Sequence, residues 1–308
     1  MSHGITAIVV THNSARHLAA LGRALSSGSL APTRMLVVDN ASTDDTAAQA
    51  RAAGFEVLET GSNHGFGAAC NAGLRAASTE LVFFCNPDVR PSPSALERLA
   101  EALTNAPTAA VAGAALDDPP VARRFSRITA DLVSFLPHRL YRRLARFTRD
   151  VPVDPGEGHV VVDYAVGACI LCRAAAVRSV GGFDEGFFLY CEEEDLCRRL
   201  GERGWQTLFI SSAVAIHDAS TSSEGAGAAV TAPFLFHSRY RYYRKYHVRT
   251  YAELARCTLA ACVAMDHTYR ALTRRQQAYG AGTALAPFRS SSSIRRDFER
   301  RTAPAGSS

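Results

Sequence analysis

The chain has 308 residues, 47% of them hydrophobic, with eight cysteines and a formal net charge of +5. That length buries one large core, or one core with an appendage. The cysteines are scattered singly apart from Cys169 and Cys172 in one apolar run, which excludes a small disulfide scaffold and a zinc ribbon and points to reduced thiols in a cytosolic protein. No apolar run approaches the roughly 20 residues that cross a bilayer, and no charged-then-apolar leader precedes Ile5, so neither secretion nor membrane spanning is expected. The charge is uneven. From Phe234 onward 14 Lys and Arg face 4 Asp and Glu, which leaves 20 basic and 25 acidic residues before it. A basic end of this kind suits nucleic acid, an anionic membrane surface or a phosphorylated substrate.

In chain order, Ile5–Val10, Met35–Val38, Phe55–Leu58 and Leu81–Cys85 read as strands. They alternate with helical patterns from about Ser14 to Leu25, Thr43 to Ala53 and Gly67 to Ala77. The alternation predicts a parallel sheet with crossover helices, and in such sheets ligands bind beyond the carboxyl ends of the strands. Thr11, His12 and Asn13 follow the first strand, where a dinucleotide fold would need Gly-x-Gly-x-x-Gly, so a nicotinamide enzyme is not expected. Asp39 stands at the tip of the second strand, placed to accept from a base or ribose, and Ser42 or Thr43 caps the next helix. Plain capping accounts for that segment equally well. Asn63-His64-Gly65-Phe66-Gly67 opens a helix carrying Asn71 and Gly73, its glycines letting backbone approach a ligand. The fourth strand ends in Asn86-Pro87-Asp88, whose oxygens two residues apart suit Mg²⁺ or Mn²⁺ on a ligand's phosphates. The same three residues also describe a turn.

Between Val121 and Arg149 eight arginines face the lone Asp131, and apolar residues recur at near-helical spacing around Pro137. The segment reads as a basic amphipathic stretch for a membrane surface, or as a core-facing helix with a solvated Arg face. After a Pro/Gly loop, the paired apolar region Val160–Cys172 leads to Gly181–Arg199, where six carboxylates lie close to a glycine pair and to Phe187-Phe188-Leu189-Tyr190. Four of those acids, Glu192 to Asp195, open a helical pattern, where the N-terminal dipole favours negative charge. An aromatic wall beside them would raise a carboxyl pKa toward that of a general base. Trp205–Ile210 and Ala213–Ile216 look like further strands, followed by His217. Ser220–Ala229 reads as a mobile lid-like segment. His237–Tyr246 interleaves cations and tyrosines, and a helix runs from about Tyr251 to Arg275. The chain after about Pro287 is expected to be disordered.

Taken together, Val9–Asn13, Val37–Asp44, Asn63–Gly67 with Asn71 and Gly73, Asn86–Val89, Gly181–Leu196 and His217 resemble glycosyltransferase family 2, inverting enzymes of GT-A fold, and within it the bacterial rhamnosyltransferase-like branch. The fold class so implied is α/β, a mostly parallel twisted sheet flanked by helices, with a C-terminal basic helical extension. The expected division is 1–222 for the nucleotide-sugar-binding and catalytic domain, 223–286 for the lid-like loop and basic helices, and 287–308 for the tail. The resemblance implies that Thr11, Asn13, Asp39 and Asn63 hold the nucleoside, with Ser42, Gly65, Asn71 and Asn86 in the same donor site. Asp88 would coordinate the cation, Mg²⁺ or Mn²⁺, and His217 would join it. The family's Glu-Asp-x-Asp-Leu reads Glu192-Glu193-Glu194-Asp195-Leu196 here, so Glu193 stands at the general-base position, with Glu192 and Asp195 as alternatives.

The function expected is inverting transfer of a sugar, L-rhamnose from dTDP-rhamnose before a UDP-sugar, to a glycan or polyprenyl-diphosphate-linked saccharide in cell-envelope polysaccharide synthesis. The cation would stabilise the diphosphate's developing charge while a carboxylate takes the acceptor's proton. The basic flanks would hold a cytoplasmic protein peripherally on the inner, anionic face of the membrane. No nucleic-acid motif frames them, and no nucleic acid is expected. The competing readings are a nucleotide-sugar-binding protein without activity and a basic nucleic-acid-binding protein.

Overall fold

The computed structural model describes residues 4–116, 121–134, 144, 150–153, 158–217, 226–272, 283–290 and 292–296. In chain order the elements begin β1 (Ile5–Thr11), α1 (Ala15–Ser26), β2 (Arg34–Asp39), α2 (Thr46–Ala52), β3 (Glu56–Glu59), α3 (Phe66–Ala76), β4 (Leu81–Cys85), β5 (Val89–Pro91) and α4 (Ala95–Asn105). They continue with β6 (Ala109–Ala115), β7 (Val121–Arg123), α5 (Ile128–Ser134), β8 (Asp150–Pro152), β9 (Val160–Val162), β10 (Cys169–Arg173) and α6 (Ala174–Ser179). The last are α7 (Glu192–Gly201), β11 (Gln206–His217), α8 (Ala226–Tyr246), α9 (Arg249–Leu272) and a 3-10 turn, Thr283–Phe288. They form two compact units. One comprises Met1–Phe125, Asp150–Gly186 and Glu192–Asp218; the other comprises Ser126–Arg149, Phe187–Cys191 and Ala219–Ser308.

The first unit is built on a sheet in the order β3-β2-β1-β4-β10-β6-β11-β5, with β9 added beside β11. β1 runs parallel to β2 and β4, and β2 parallel to β3. β1 and β4 bury both faces, and that is why β1 reads as an unbroken apolar run. Ile5, Ala7 and Val9 enter one core with Leu18, Leu21 and Leu25 of α1 and Leu96, Leu99 and Leu103 of α4. Ile8 and Val10 enter the other with Ala69, Cys70 and Leu74 of α3 and Leu196 and Leu200 of α7. α3 lies so close to β1 that a Cβ on Gly73 would stand 2.4 Å from Ile8 Cγ2. α2 begins three residues later than expected because Asp44 Oδ1 accepts the Thr46 N–H at 3.1 Å and so holds 44–46 in a turn.

Two expected strands prove to be one. β11 runs parallel to β6, shifts register between Ile210 and Val214, and then pairs antiparallel with β5. The apolar region Val160–Cys172 holds β9 and β10, which are not partners of each other: β9 pairs with β11 and β10 with β4 and β6.

In the second unit Phe187, Phe234, Tyr242, Tyr243, Leu259, Val263 and Ile294 form the core. The cation–tyrosine run is therefore largely interior. Tyr242 and Tyr243 are buried, as is Arg239, whose Nε lies 3.8 Å from Asp131 Oδ1. The Tyr243 hydroxyl donates to Asp131 Oδ2, and burial, with that carboxylate, raises its pKa. Of the lid-like segment Ser220–Ala229, residues 220–225 lie outside the described residues, and from Ala226 the chain is helical. The tail is ordered further than expected: residues 292–296 are helical and Ile294 is buried. Of the Arg-rich stretch Val121–Arg149, residues 135–143 and 145–149 lie outside the described residues. Among the described residues no helix is long and apolar enough to cross a membrane.

Candidate active site

Parallel pairing sets Thr11 of β1 opposite Asp39 of β2 at the carboxyl edge of the sheet. Both are buried, and Thr11 Oγ1 donates to Asp39 Oδ1 at 3.3 Å, which also accepts the Ser42 hydroxyl. Asn13, in the left-handed region at φ 53°, donates its N–H to Ser42 Oγ at 2.9 Å and accepts the Thr43 N–H at 2.8 Å through Oδ1. The loops after the first two strands are thereby laced together. Asn40, buried and absent from the sequence-based set, joins the next loop to them. Its Nδ2 donates to Asn63 Oδ1 at 2.9 Å and to Gly65 O at 3.2 Å, while its Oδ1 accepts from His64 N at 3.0 Å and Thr60 Oγ1 at 3.2 Å. An amide with all its positions filled fixes the loop and leaves none for a ligand. The one signal for it in the sequence was a polar residue directly behind a strand tip. Thr11, Asn13, Asp39, Ser42, Asn63 and Gly65 thus meet on one edge.

Asn71 does not join them. It donates from Nδ2 to Phe183 O and Glu185 Oε1, both at 2.9 Å, and accepts the Phe183 N–H at 2.8 Å. It brackets the turn after Gly182, where a Cβ would meet Asn71 Oδ1 at 2.3 Å. A cavity of about 340 Å³ flanks α3, lined by Thr60, His64, Ala72, Arg75 and Glu185 among others. It borders the Asn40 loop, but none of the carboxyl groups considered below lines it.

At the end of β4, Asn86 donates its N–H to Ala168 O at 2.9 Å. Asp88 is 6% exposed. The antiparallel pairing of β5 with β11 puts His217 opposite Val89, and His217 Nε2 stands 3.4 Å from Asp88 Oδ1. Two neighbouring ligands of one cation, each at about 2.1 Å, stand about 3 Å apart, so this carboxylate–imidazole pair fits a divalent ion. Among the described residues no three His, Cys, Asp or Glu side chains form a metal cluster; phosphate oxygens and water are ligands a hard cation also accepts.

The acidic residues open α7 as expected, and packing separates their roles. Asp195, fully buried, is bound to Arg199 at 2.7 Å, and Arg199 Nη1 donates to Val180 O and Gly182 O, both at 2.8 Å. Asp195 is thus committed to holding the Gly181–Gly182 turn. Glu192 is buried, and burial, then Glu193 and Asp195, push its pKa well above the carboxylate range. Glu193 is half-buried. A Cβ on Gly167 would lie 3.3 Å from Glu193 Cβ and 3.7 Å from the Phe66 ring. Because Ala168 accepts from Asn86, this one turn touches both the residue two before Asp88 and the side chain of Glu193. The aromatic wall differs from the one expected. Phe187 belongs to the core of the second unit, with Arg241 5.1 Å above its ring, whereas Phe183 stands edge-on to Phe84 at 5.2 Å and to Phe66 at 6.5 Å. Tyr190 and Cys191 lead into α7 with φ 70° and 68°. A set of hydroxyls and amides at the sheet edge, a carboxylate–imidazole pair and a half-buried carboxylate can bind a nucleoside diphosphate through a cation and take up one proton.

The sequence profile described as Glycosyl transferase family 2 matches residues 6–167. The chain is 31% identical over 246 residues to N-acetylglucosaminyl-diphospho-decaprenol L-rhamnosyltransferase of Mycobacterium tuberculosis, covering 72% of this chain and 78% of that protein. It is 34% identical over 171 residues to the pre-mycofactocin glycosyltransferase of the same organism, covering 54% of this chain and 33% of that protein. Among solved structures, the mannosyltransferase PcManGT from Pyrobaculum calidifontis in complex with GDP-Man and Mn²⁺ matches with a TM-score of 0.59 at 17% identity, over 97% of this chain and 85% of that one. The fold is that of the GT-A enzymes.

Asn71→Ala should lower stability by about 1–3 kcal/mol, because the buried Phe183 N–H and C=O lose their partners. Donor affinity should stay within twofold, and a large loss of donor binding in a variant of unchanged Tm would return Asn71 to the donor site.

Proposed function

The chain belongs to glycosyl transferase family 2 and is a glycosyltransferase, and from that premise we propose that it transfers L-rhamnose from dTDP-rhamnose, with inversion, to a hydroxyl of a polyprenyl-diphosphate-linked saccharide in cell-envelope polysaccharide synthesis. The observation that supports the chemistry is the turn at Gly167–Ala168, which binds the Asn86 N–H two residues before Asp88 and packs against the side chain of the half-buried Glu193. The sugar and acceptor are taken from the mycobacterial relative, an N-acetylglucosaminyl-diphospho-decaprenol L-rhamnosyltransferase.

Thr11, Asn13, Asp39, Ser42, Asn63 and Gly65 hold the nucleoside at the sheet edge. Asp88 and His217, with Asn86 beside them, hold a divalent cation, Mg²⁺ or Mn²⁺. When bound, that ion neutralises charge on the departing diphosphate. Glu193 Oε accepts the proton of the acceptor hydroxyl as its oxygen bonds to the anomeric carbon, and the bond to the diphosphate breaks on the opposite face. The ion pair of Asp195 with Arg199 favours Glu193 over it in this role.

The protein docks on the cytoplasmic face of an anionic membrane through the second unit. Support comes from Arg244, Lys245 and Arg249, all exposed, beside Val248, which is 72% exposed. Such a surface combines apolar insertion with attraction to anionic lipid.

In a thermal-shift screen with Mn²⁺, dTDP-rhamnose should raise Tm more than UDP-glucose or GDP-mannose, and a different winner would replace the sugar assigned. Asp88→Ala should lose most cation-dependent donor affinity, measured with and without chelator; undiminished affinity would remove Asp88 from the cation site. Glu193→Gln should cut turnover by roughly 10²–10⁴ while donor affinity barely changes, and near-normal turnover would sink its assignment as the base. Co-sedimentation with phosphatidylglycerol vesicles should fall as salt rises, whereas equal binding to phosphatidylcholine vesicles would count against the docking surface.

A further inference from the structure

Four carboxyl groups, Glu192 to Asp195, crowd the first turn of α7, and the cation Arg199 is bound to the last of them. Glu192 is the one whose situation the transfer reaction leaves unexplained. It is 4% exposed, and its Oε2 has no hydrogen-bond partner. Its carboxyl is bonded by its own backbone N–H. The groups facing it are Glu193 and Asp195 on its own helix and Cys70 on α3. The Cys70 thiol is itself pushed well above its usual range by burial, and after that by Glu192. α3 lies directly against Glu192, for a Cβ on Gly67 would stand 3.5 Å from Glu192 Cβ and 3.2 Å from Phe183 Cβ. An ionised carboxylate here would have one oxygen sealed from water with no donor, beside a second carboxylate. The alternative is to retain the proton.

We propose that Glu192 is carried as a neutral carboxylic acid in the working enzyme, and that its neutrality keeps Glu193 the ionised member of the pair. The proposal rests on the reading of Glu193 as the proton acceptor. Carboxyl groups whose charges repel do not both ionise cheaply, so a charged Glu192 would favour a proton on Glu193 and disarm it. Burial of Glu192 assigns the proton to the residue that faces the protein, and the charge to the residue that is half-exposed. Glu192 acts through Glu193 and is a positioning residue, of charge rather than of atoms.

Infrared difference spectra of the ligand-free full chain at pH 7 test the charge state without any substrate. Wild type minus Glu192→Gln should show the C=O stretch of a protonated carboxyl, moved by D₂O. Absence of that band overturns the proposal. Should Glu192→Gln fail to fold, Glu193→Gln serves instead. The band should survive in it, because burial holds the proton on Glu192 whether or not Glu193 is charged, and its loss there would overturn the proposal. The second arm is the acid limb of kcat/KM against pH, whose position and not whose height is read. In Glu192→Gln it should stay within about 0.3 pH unit of wild type, because one neutral group replaces another. A fall of a unit or more means that a negative charge was removed, and a loss of turnover of a hundredfold or more makes Glu192 the proton acceptor; either overturns the proposal. Failure of every sugar nucleotide to turn over would strike the donor reading alone, since the infrared result does not depend on it. Linkage supplies a third reading. A folded-state pKa raised above the ordinary 4.5 leaves stability intact below that pH and drains it as pH rises toward the folded value. The Tm of Glu192→Gln should therefore overtake that of wild type increasingly from pH 4.5 upward, and a constant difference would overturn the proposal.

Discussion

The buried ion pair between Asp195 and Arg199 is the contact on which the geometry of the site depends. Asp195 has no exposed surface, and removing one partner of such a pair costs about 3–5 kcal/mol. Through its second donor arm Arg199 holds the carbonyls of Val180 and Gly182, so the start of the acid helix is tied to the glycine turn before it. That turn presents Phe183 to Asn71, and Asn71 belongs to the helix whose first turn lies against Glu192, where a Cβ on Gly67 would stand 3.5 Å from Glu192 Cβ. The acid helix α7 and the helix α3 are therefore held by one continuous bracket.

The sheet performs a second coupling. β11 begins as an inner parallel neighbour of β6 and, after its irregularity, becomes the antiparallel partner of β5. A straight strand would have kept the parallel partner throughout; the shift carries His217 to Asp88. The carboxylate arrives at the end of a parallel strand and the imidazole at the end of the strand that changes sides. Neither side chain alone makes a hard-cation site.

Much of this was legible because the first half of the chain is locally consistent. β1, β2 and β4 bury both faces, and so each announces itself as an apolar run; the polar residues behind them then had one place to go. Thr11, Asp39, Ser42 and Asn63 follow from that argument. Asn71 did not, because its role is set by partners 112 residues away, and an amide that clamps a distant turn has the same composition as one that binds a ligand. Phe187 and the tyrosines of α8 were misread for a related reason. Their pattern fitted a wall or a docking face, and burial alone makes them a core. The order of residues 292–296 was likewise invisible, because it depends on Ile294 finding that core rather than on local propensity.

The approach to the acid helix has a consequence of its own. Tyr190 and Cys191 both sit in the left-handed region, where a residue with a side chain costs about 1–3 kcal/mol. Such a conformation persists only because the flanks leave no alternative: the Ser238 hydroxyl grips the Leu189 carbonyl on one side, and Glu192 is already helical on the other. In terms of sequence drift the junction is a narrow gate. Glycine or asparagine could replace either residue at little conformational cost, while valine, isoleucine, threonine and proline are shut out. A descendant chain carrying one of those residues here would have to reach its acid helix by a different backbone path.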